Sequence, residues 1–251
     1  MANRQQLSDL YIVGPASGLE VAGLHNPWPV PRGTQVIQLD LFDTVELRKQ
    51  YPEMCHKPFV DVQVLGDAQT LACIPSSTMD FVLSSHVIEH VPGVIEALTH
   101  WMRVLKTGKH LLMAVPLSHN QIDKDRVPTT VEHILNEWLV SRDNPELRDQ
   151  MLKQDYYDYF SVVDKLKGDA LDQRVSSAMK DKPHVHFHCW TYVGLLELLN
   201  EFCERFGATV VHAEPTDHEA LIVIRKENDW YCGSHWTNKV SSAIDFEKKM
   251  K

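Results

Sequence analysis

Residues 80–91 read DFVLSSHVIEHV, an apolar run that leads directly into three polar side chains. Such a run is typical of a strand buried on both faces of a parallel sheet, and such strands present their carboxyl ends to a ligand crevice. Spacings of three and four residues place His86, Glu89 and His90 on one side of a helical turn. We therefore expect the functional site near residue 86. A polar helix start is the alternative interpretation of the same residues.

The composition is that of a globular protein with an acidic surface. The chain has 251 residues, of which 43% are hydrophobic and 24% are charged, and its formal net charge is −9. This length and composition predict a single folded domain over residues 1–251. Nucleic-acid binders usually present a basic face, so we expect no nucleic-acid partner.

The sequence predicts a cytoplasmic protein without a membrane partner. No apolar run approaches the roughly 18 residues that span a bilayer, and the first residues contain no signal-peptide core. The cysteines form no CxxC pair, which favours reduced thiols over disulfides or a zinc knuckle. They are Cys55, Cys73, Cys189, Cys203 and Cys232. The sequence does not decide whether the protein forms a homo-oligomer.

Strand-like and helix-like segments alternate along the chain, which indicates a parallel sheet. The predicted class is α/β, with a Rossmann-like, mostly parallel seven-stranded sheet, an antiparallel C-terminal edge strand and a helical cap insertion. The predicted strands are 19–23, 35–39, 60–64, 80–84, 110–115, 208–212 and 220–225, with helices at 93–105 and 190–206.

The pattern breaks after Pro116 into a polar stretch. We assign residues 117–183 to a cap insertion on the substrate side, with helices at 129–140 and 145–166. Residues 227–251 form a C-terminal tail whose aromatic side chains predict packing against the body. These are Trp230, Tyr231 and Trp236.

Two carboxylates and a short turn indicate a nucleoside site. Glu20 ends the first strand and Asp40, 20 residues later, ends the second. A carboxylate at a strand tip can accept hydrogen bonds from both ribose hydroxyls, and the turn glycine Gly23 allows close approach of a ligand. A dinucleotide also needs a glycine-rich turn for its pyrophosphate, whereas residues 22–31 contain three prolines and no GxGxxG. S-adenosylmethionine, which carries no phosphate, fits better.

Residues 18–116 resemble class I S-adenosylmethionine-dependent methyltransferases. Residues 19–23 look like the first motif, residues 66–68 like the adenine-contacting loop, and residues 84–91 like the fourth-strand motif. The usual Gly-x-Gly is here replaced by residues 22–24, Ala-Gly-Leu. The cofactor residues that this resemblance implies are Glu20, Ala22, Gly23, Asn26, Asp40, Asp67, Ala68 and Ser85. Four segments more narrowly resemble uncharacterised methyltransferases linked with polysaccharide biosynthesis: 19–40, 86–92, 123–133 and 184–191.

The histidine-rich region predicts either a divalent metal site or a histidine acid–base site. The Glu-x-x-Glu-His motif of some O-methyltransferases, including small-RNA 2′-O-methyltransferases, binds a divalent ion, and the same positions here are His86, Glu89 and His90. In the RNA enzymes a downstream histidine completes the site, and His186 could supply it, since alternation along residues 184–188 would point three histidines to one face. Without metal, a histidine must remove the acceptor proton. The candidates are His86, His90, His119, His133 and His186, and the predicted catalytic residues are His86, Glu89, His90 and His133.

The predicted function is methyl transfer from S-adenosylmethionine to an oxygen of a small polyol or sugar unit, either with help from a divalent metal ion or with a histidine as the base. A diol could chelate that ion and so lose its proton near neutral pH. Two alternatives remain open at this level, an NAD-dependent oxidoreductase and a non-catalytic protein that retains the fold.

Overall fold

The computed structural model describes residues 3–54, 56–119, 122–141 and 143–228. Cys55, Cys232 and the predicted packing of the aromatic tail lie outside the described residues. The helices among the described residues include none that is both long and apolar enough to cross a bilayer.

Seven strands form one mixed sheet in the order β3-β2-β1-β4-β5-β7-β6. The first five strands run parallel, while β7 pairs antiparallel with both β5 and β6. This topology confirms the predicted fold class, an α/β fold with a Rossmann-like, mostly parallel seven-stranded sheet and an antiparallel edge. The strands are β1 (Ser17–Val21), β2 (Gln35–Asp40), β3 (Val64–Leu65), β4 (Met79–Ser85), β5 (Leu105–Pro116), β6 (Ala208–Pro215) and β7 (Glu219–Lys226).

Helices cover both faces of the sheet. Apolar side chains of α3 and α7, such as Trp101 and Leu198, pack on one face, and Leu7 of α1 packs with Trp28 and Phe81 on the other. The helices are α1 (Arg4–Tyr11), α2 (Thr44–Gln50), α3 (Val94–Val104), α4 (Val131–Ser141), α5 (Pro145–Val162), α6 (Gly168–Asp181) and α7 (Tyr192–Phe206).

Three helices lie between β5 and α7, in the stretch that the sequence assigns to an insertion. Two of them, α4 and α5, match the predicted helices at 129–140 and 145–166, although α5 ends four residues early, at Val162. The insertion has its own apolar cluster, which includes Tyr156 and Phe160 of α5, Val175 of α6 and Phe187 of the segment that follows.

Several elements differ from the sequence prediction. Helices α1, α2 and α6 were not predicted, because their sequences are mostly polar and bury few side chains. Of the predicted strand 60–64, only Val64 belongs to a strand, the two-residue β3, since residues 60–63 bond to neighbouring backbone and side chains without forming a ladder. The first strand ends at Val21 because the next residue, Ala22, has a left-handed backbone with φ 53°.

Candidate functional site

The candidate site lies beyond the carboxyl ends of β1, β2 and β4. Strands β1 and β4 are neighbours, while the chain runs outward from them to β2 on one side and β5 on the other. This arrangement creates a topological switch point, where ligands bind in open α/β sheets. Glu20, Asp40 and Ser85 lie at or next to the carboxyl ends of these strands, and His86, Glu89 and His90 follow β4.

The loop after β1 adopts a conformation that glycine would accept more easily. Ala22 and Leu24 have φ values of 53° and 47°. A Cβ added at Gly23 would approach Gln38 Oε1 to 2.6 Å. Non-glycine residues in this region carry strain of about 1 kcal/mol or more each, and such strain tends to gather at functional sites. Ala22 and Leu24, which replace the two glycines of the usual Gly-x-Gly, therefore both have left-handed backbones.

Glu20 holds this loop in place through hydrogen bonds. Its buried carboxylate accepts hydrogen bonds from Trp28 N (2.6 Å) and Gln38 Nε2 (2.7 Å). Burial raises the pKa of Glu20, and the two hydrogen bonds partly oppose that rise. The loop is tied in turn to α1, because the Trp28 indole donates to Ser8 Oγ at 2.8 Å. Both Glu20 oxygens thus face protein donors.

Asp40 stands at the tip of β2, half-buried. Its Oδ1 accepts a long hydrogen bond from Phe42 N, at 3.3 Å, and burial is the main reason that its pKa is raised. Its backbone oxygen accepts from Gly66 N at 2.9 Å, which holds the 66–68 loop against β2. In residues 22–34, all of which are described, the chain forms no helix whose N-terminus could hold a pyrophosphate.

The remaining predicted cofactor residues near this edge differ in their hydrogen bonds and in their exposure. Asp67 Oδ1 accepts from Gln69 N at 2.6 Å, and Ala68 O accepts from the Trp101 indole at 2.7 Å. Asn26 is exposed in the loop after β1, and Ser85 is the half-buried last residue of β4.

His86 follows β4 in a left-handed conformation with φ 55° and turns toward β7. Its Nε2 lies 2.7 Å from Glu219 Oε2, and Arg4 Nη2 lies 2.7 Å from the same oxygen. Burial alone would lower the pKa of His86, but Glu219 and Glu89 raise it overall. Burial would raise the pKa of Glu219, yet His86 and Arg4 lower it to about 2.

Glu89 is a fully buried carboxylate in the 3₁₀ turn formed by residues 88–90. Among the described residues, neither of its carboxylate oxygens has a hydrogen-bond partner. The nearest imidazole nitrogens are His86 Nδ1 at 3.8 Å and His90 Nε2 at 3.9 Å from Oε1. Burial raises its pKa to about 7. An unsatisfied buried carboxylate is costly and is unusual outside functional sites.

His90 and His186 complete this cluster, and the Nδ1 atom of each ring is bonded to another part of the chain. His90 Nδ1 lies 2.9 Å from the Val185 carbonyl oxygen, to which it must donate, so its Nε2 carries the lone pair. His186 Nδ1 lies 2.7 Å from Asp123 Oδ2. Ligand atoms of Glu89, His90 and His186 all lie within 4.8 Å of one another. We call these three residues the first cluster.

The first cluster has the outer hydrogen bonds that metal-ligating histidines usually make, one to a carboxylate and one to a backbone carbonyl. Burial and the nearby His186 lower the pKa of His90 to about 4, so its ring is neutral at pH 7. Arg126 holds Asp123 at 2.9 Å and also donates to His186 O and Phe187 O. The donor set therefore fits a divalent ion.

A second group of ionisable side chains lies at the insertion. Ligand atoms of His133, Glu137 and His188 also lie within 4.8 Å of one another, and we call these residues the second cluster. Burial, aided by the nearby Asp155, raises the pKa of Glu137 to about 9. A cavity of about 370 Å³ opens beside it, lined by residues that include His133, Asp155 and Arg126.

The structure brings together some predicted residues and separates others. Glu89, His90 and His186 meet, whereas His86 pairs with Glu219 and His133 belongs to the second cluster. The three histidines of residues 184–188 do not converge, since His184 approaches the Phe42 ring, His186 the His90 ring and His188 the His133 ring. His119 contacts the Asp217 backbone oxygen at 2.7 Å, on the β6–β7 turn.

Sequence reasoning missed Asp123, Glu219 and Glu137 as site residues. Glu219 comes from β7, 133 residues away from its partner His86, and no local pattern reports such a pairing. Glu137 follows His133 by one helical turn, and this spacing is a signal that could have identified it.

Comparison with known proteins supports the assignment of the fold. Residues 13–113 match a family model described as a methyltransferase domain, and this segment contains β1 to β4 and the predicted cofactor residues. No curated protein matches the chain.

Many solved structures resemble the chain at low identity. A SAM-dependent methyltransferase from Aquifex aeolicus is 10% identical with a TM-score of 0.47, over 88% of this chain and 87% of that one. A SAM-dependent methyltransferase from Methanosarcina mazei is 14% identical with a TM-score of 0.48, over 88% and 96%. At these values the likeness carries no information about the reaction or the acceptor.

Proposed function

We propose that this protein transfers a methyl group from S-adenosylmethionine to an oxygen of a small polyol or sugar unit, with a divalent metal ion at the first cluster. The observation that carries the proposal is the fully buried Glu89 carboxylate, which faces His86 and His90 and has no hydrogen-bond partner among the described residues. It lies just after β4, inside the segment that matches the methyltransferase family model.

The cofactor part of the proposal rests on the loop after β1 and on Asp40. S-adenosylmethionine, when bound, supplies an electrophilic methyl group. The left-handed backbone at Ala22 and Leu24 would let a ligand come close to the main chain of this loop. The carboxylate oxygens of Asp40 can accept further hydrogen bonds, such as those from ribose hydroxyls. The absence of a helix in residues 22–34 disfavours a pyrophosphate and hence the NAD-dependent alternative.

The metal part of the proposal rests on the donors of the first cluster. An ion held by Glu89, His90 and His186 would lower the pKa of an acceptor hydroxyl. One carboxylate and two imidazoles suit Zn²⁺, Mn²⁺ or Fe²⁺ better than Mg²⁺, which prefers oxygen ligands.

Methylation of an oxygen releases one proton. With an ion bound, Glu89 and the Nε2 lone pair of His90 would hold that ion, so the proton would pass to solvent or to a base outside the first cluster. Without an ion, His90 is neutral at pH 7 and its Nε2 lone pair could accept the proton. The cavity of about 370 Å³ beside Arg126 and His133 has room for a sugar-sized acceptor, and its lining includes polar side chains, such as Thr130 and Asp155, that can bond hydroxyl groups. An acceptor there would lie on the insertion side of the crevice.

Calorimetric titration with S-adenosylhomocysteine tests the cofactor site. We expect micromolar binding by the wild type and a loss of at least about tenfold for Asp40→Ala, because hydrogen bonds to a charged group contribute about 1.5–3 kcal/mol. Asp61→Ala, which removes an exposed carboxylate elsewhere, is the matched control. Equal affinity for wild type and Asp40→Ala would remove the cofactor assignment, and binding of NAD instead would favour the oxidoreductase.

Glu89→Gln tests the reaction itself. This variant should bind S-adenosylhomocysteine like the wild type but lose methyl transfer to a panel of sugars and diols, together with the metal found by elemental analysis. Glu132→Gln, on the exposed side of α4, is the control. Undiminished turnover by Glu89→Gln would contradict the proposed role, and biological activity that survives the loss of the cluster would favour a non-catalytic protein.

A further inference from the structure

The second cluster combines one helix with the extended segment that follows the insertion. His133 and Glu137 are four residues apart on α4 and therefore lie on one face of that helix. His188 approaches them from the segment 184–188, with its Nε2 3.8 Å from Glu137 Oε2. Ligand atoms of the three residues lie within 4.8 Å of one another.

His188 carries a buried lone pair on its second ring nitrogen. Its Nε2 lies 3.0 Å from the Pro92 carbonyl oxygen, and because a carbonyl only accepts, Nε2 must carry the proton. Its Nδ1 is then an acceptor, and it has no hydrogen-bond partner within the described part of the chain. The side chain is 0% exposed. Ligating histidines are commonly fixed in this way by a carbonyl on the second nitrogen.

We propose that His133, Glu137 and His188 form a second binding site for a divalent transition-metal ion, separate from the first cluster. The two clusters share no residue. His186 and His188 are two residues apart on an extended segment, which separates their Cα atoms by about 6.6 Å. Their rings also have different neighbours, His90 for the first and Trp190 for the second.

The donor set identifies the class of ion. Two imidazoles and one carboxylate select Zn²⁺, Co²⁺ or Ni²⁺ over Ca²⁺ and Mg²⁺. Bonds of about 2.0–2.2 Å place tetrahedral ligand atoms about 3.4 Å apart, so the cluster must contract by up to about 1.4 Å. His133, whose side chain is 43% exposed, has the freedom to make that adjustment.

The cavity beside the cluster supplies an entry path and a further ligand. Both His133 and Asp155 line it. Asp155 Oδ1 lies 3.9 Å from His133 Nε2, and its Oδ2 lacks a hydrogen-bond partner as far as the described residues go. An ion here would fasten α4 and α5 of the insertion to the segment that carries His186. The second site would thereby support the geometry of the first.

Binding of Co²⁺ alone to the full chain tests this inference. Equilibrium dialysis followed by metal analysis gives the stoichiometry, and the visible spectrum of Co²⁺ reports tetrahedral coordination. We expect two ions per chain for the wild type, one for His133→Ala and one for His90→Ala. Glu137→Gln, which conserves volume, should weaken one of the two sites at least tenfold, and the exposed control His56→Ala should keep both.

The variants separate this site from the proposed function. One ion in the wild type that is lost in His133→Ala but kept in His90→Ala would support the second site and contradict the metal of the first cluster. Wild-type stoichiometry and affinity in both His133→Ala and Glu137→Gln would overturn the second site. So would a wild type that binds no Co²⁺ at all.

Discussion

At the scale of single residues, two buried or half-buried carboxylates at the edge of the sheet differ in their hydrogen bonding. Glu219 receives Arg4 and His86 on one carboxylate, and Glu89, three residues from His86, is buried without a hydrogen-bond partner among the described residues. The Glu219 carboxylate is therefore satisfied, whereas the nearby Glu89 carboxylate is not. The first stabilises the fold, and the second is available for a ligand.

Glu219→Gln should lower stability in a pH-dependent way. The folded-state pKa of Glu219, about 2, lies below the ordinary value of 4.5, so its charge stabilises the protein above pH 4.5. A shift of this size corresponds to about 3 kcal/mol, which is lost as pH falls from 4.5 through 2. In urea unfolding, the deficit of Glu219→Gln should be largest at pH 7 and shrink by about 2 kcal/mol at pH 3.

The control for this measurement is Glu204→Gln, an exposed position on α7 whose removal should show no such pH dependence. A deficit that stays constant from pH 7 to pH 3 would contradict the role of the Arg4–Glu219–His86 network.

Ala22→Gly should leave the free energy of unfolding unchanged or raise it by up to about 1 kcal/mol, because glycine relieves the left-handed strain at this position. The same change at Ala170, near the start of helix α6 and exposed, should cost about 0.5–1 kcal/mol. Thermal denaturation of the two variants compares them directly. Equal losses would mean that residue 22 is not strained.

At the scale of elements, the segment 184–188 depends on one arginine. Arg126 donates to His186 O at 2.7 Å, to Phe187 O at 2.9 Å and to Asp123 Oδ1 at 2.9 Å. The amides of Phe187 and His188 donate to Glu89 O on the other side. The segment is thus held between the insertion and the 3₁₀ turn, and both histidine clusters depend on its position.

Arg126→Ala should loosen this segment. Removing one partner of a buried ion pair costs about 3–5 kcal/mol, and the freed carbonyls add to that loss. Hydrogen exchange at the amides of Phe187 and His188 should speed up strongly, while Arg126→Lys should fall in between because lysine cannot donate in the same forked geometry. The exposed Arg32→Ala is the control. Unchanged protection in Arg126→Ala would show that other contacts hold the segment.

At the scale of the whole molecule, the core is divided. A large apolar cluster lies between the sheet and helices α3 and α7, a smaller one lies under α1, and a third belongs to α5 and α6 of the insertion. Helices α5 and α6 pack mainly against each other, and they reach the body through α4 and the 184–188 segment. Helices α5 and α6 therefore form a separate packing unit, while α4 contributes Ile134 to the large cluster.

Native-state hydrogen exchange should show this division. The opening free energy of the amides of α5 and α6 should be lower by about 2 kcal/mol or more than that of the amides of β4 and β5. The reason is that α5 and α6 pack on the third apolar cluster, which is smaller than the one between the sheet and helices α3 and α7. Zn²⁺ at the second cluster should narrow the difference. Identical opening free energies in metal-free protein would mean that insertion and sheet unfold together.

Much of the framework was predictable because it depends on local pattern. The apolar run at 79–85, the helix that ends before β5 and the antiparallel pair β6–β7 all follow from periodicity and turn signals. Helix α6 was missed because its polar sequence buries only Val175 and Ala178. The metal, the acceptor, the insertion as a cap and the cofactor contacts of Asp40 remain predictions.

The sequence by itself determined the sheet and the edge at which the candidate site is predicted, because parallel strands bring their carboxyl ends together whatever the rest of the chain does. Only the tertiary structure decided which polar side chains meet there. Val185 binds His90 across 95 residues, and Asp123 binds His186 across 63. Contacts over such separations depend on how the insertion packs and on which backbone angles follow each strand, and periodicity in a sequence carries no record of either.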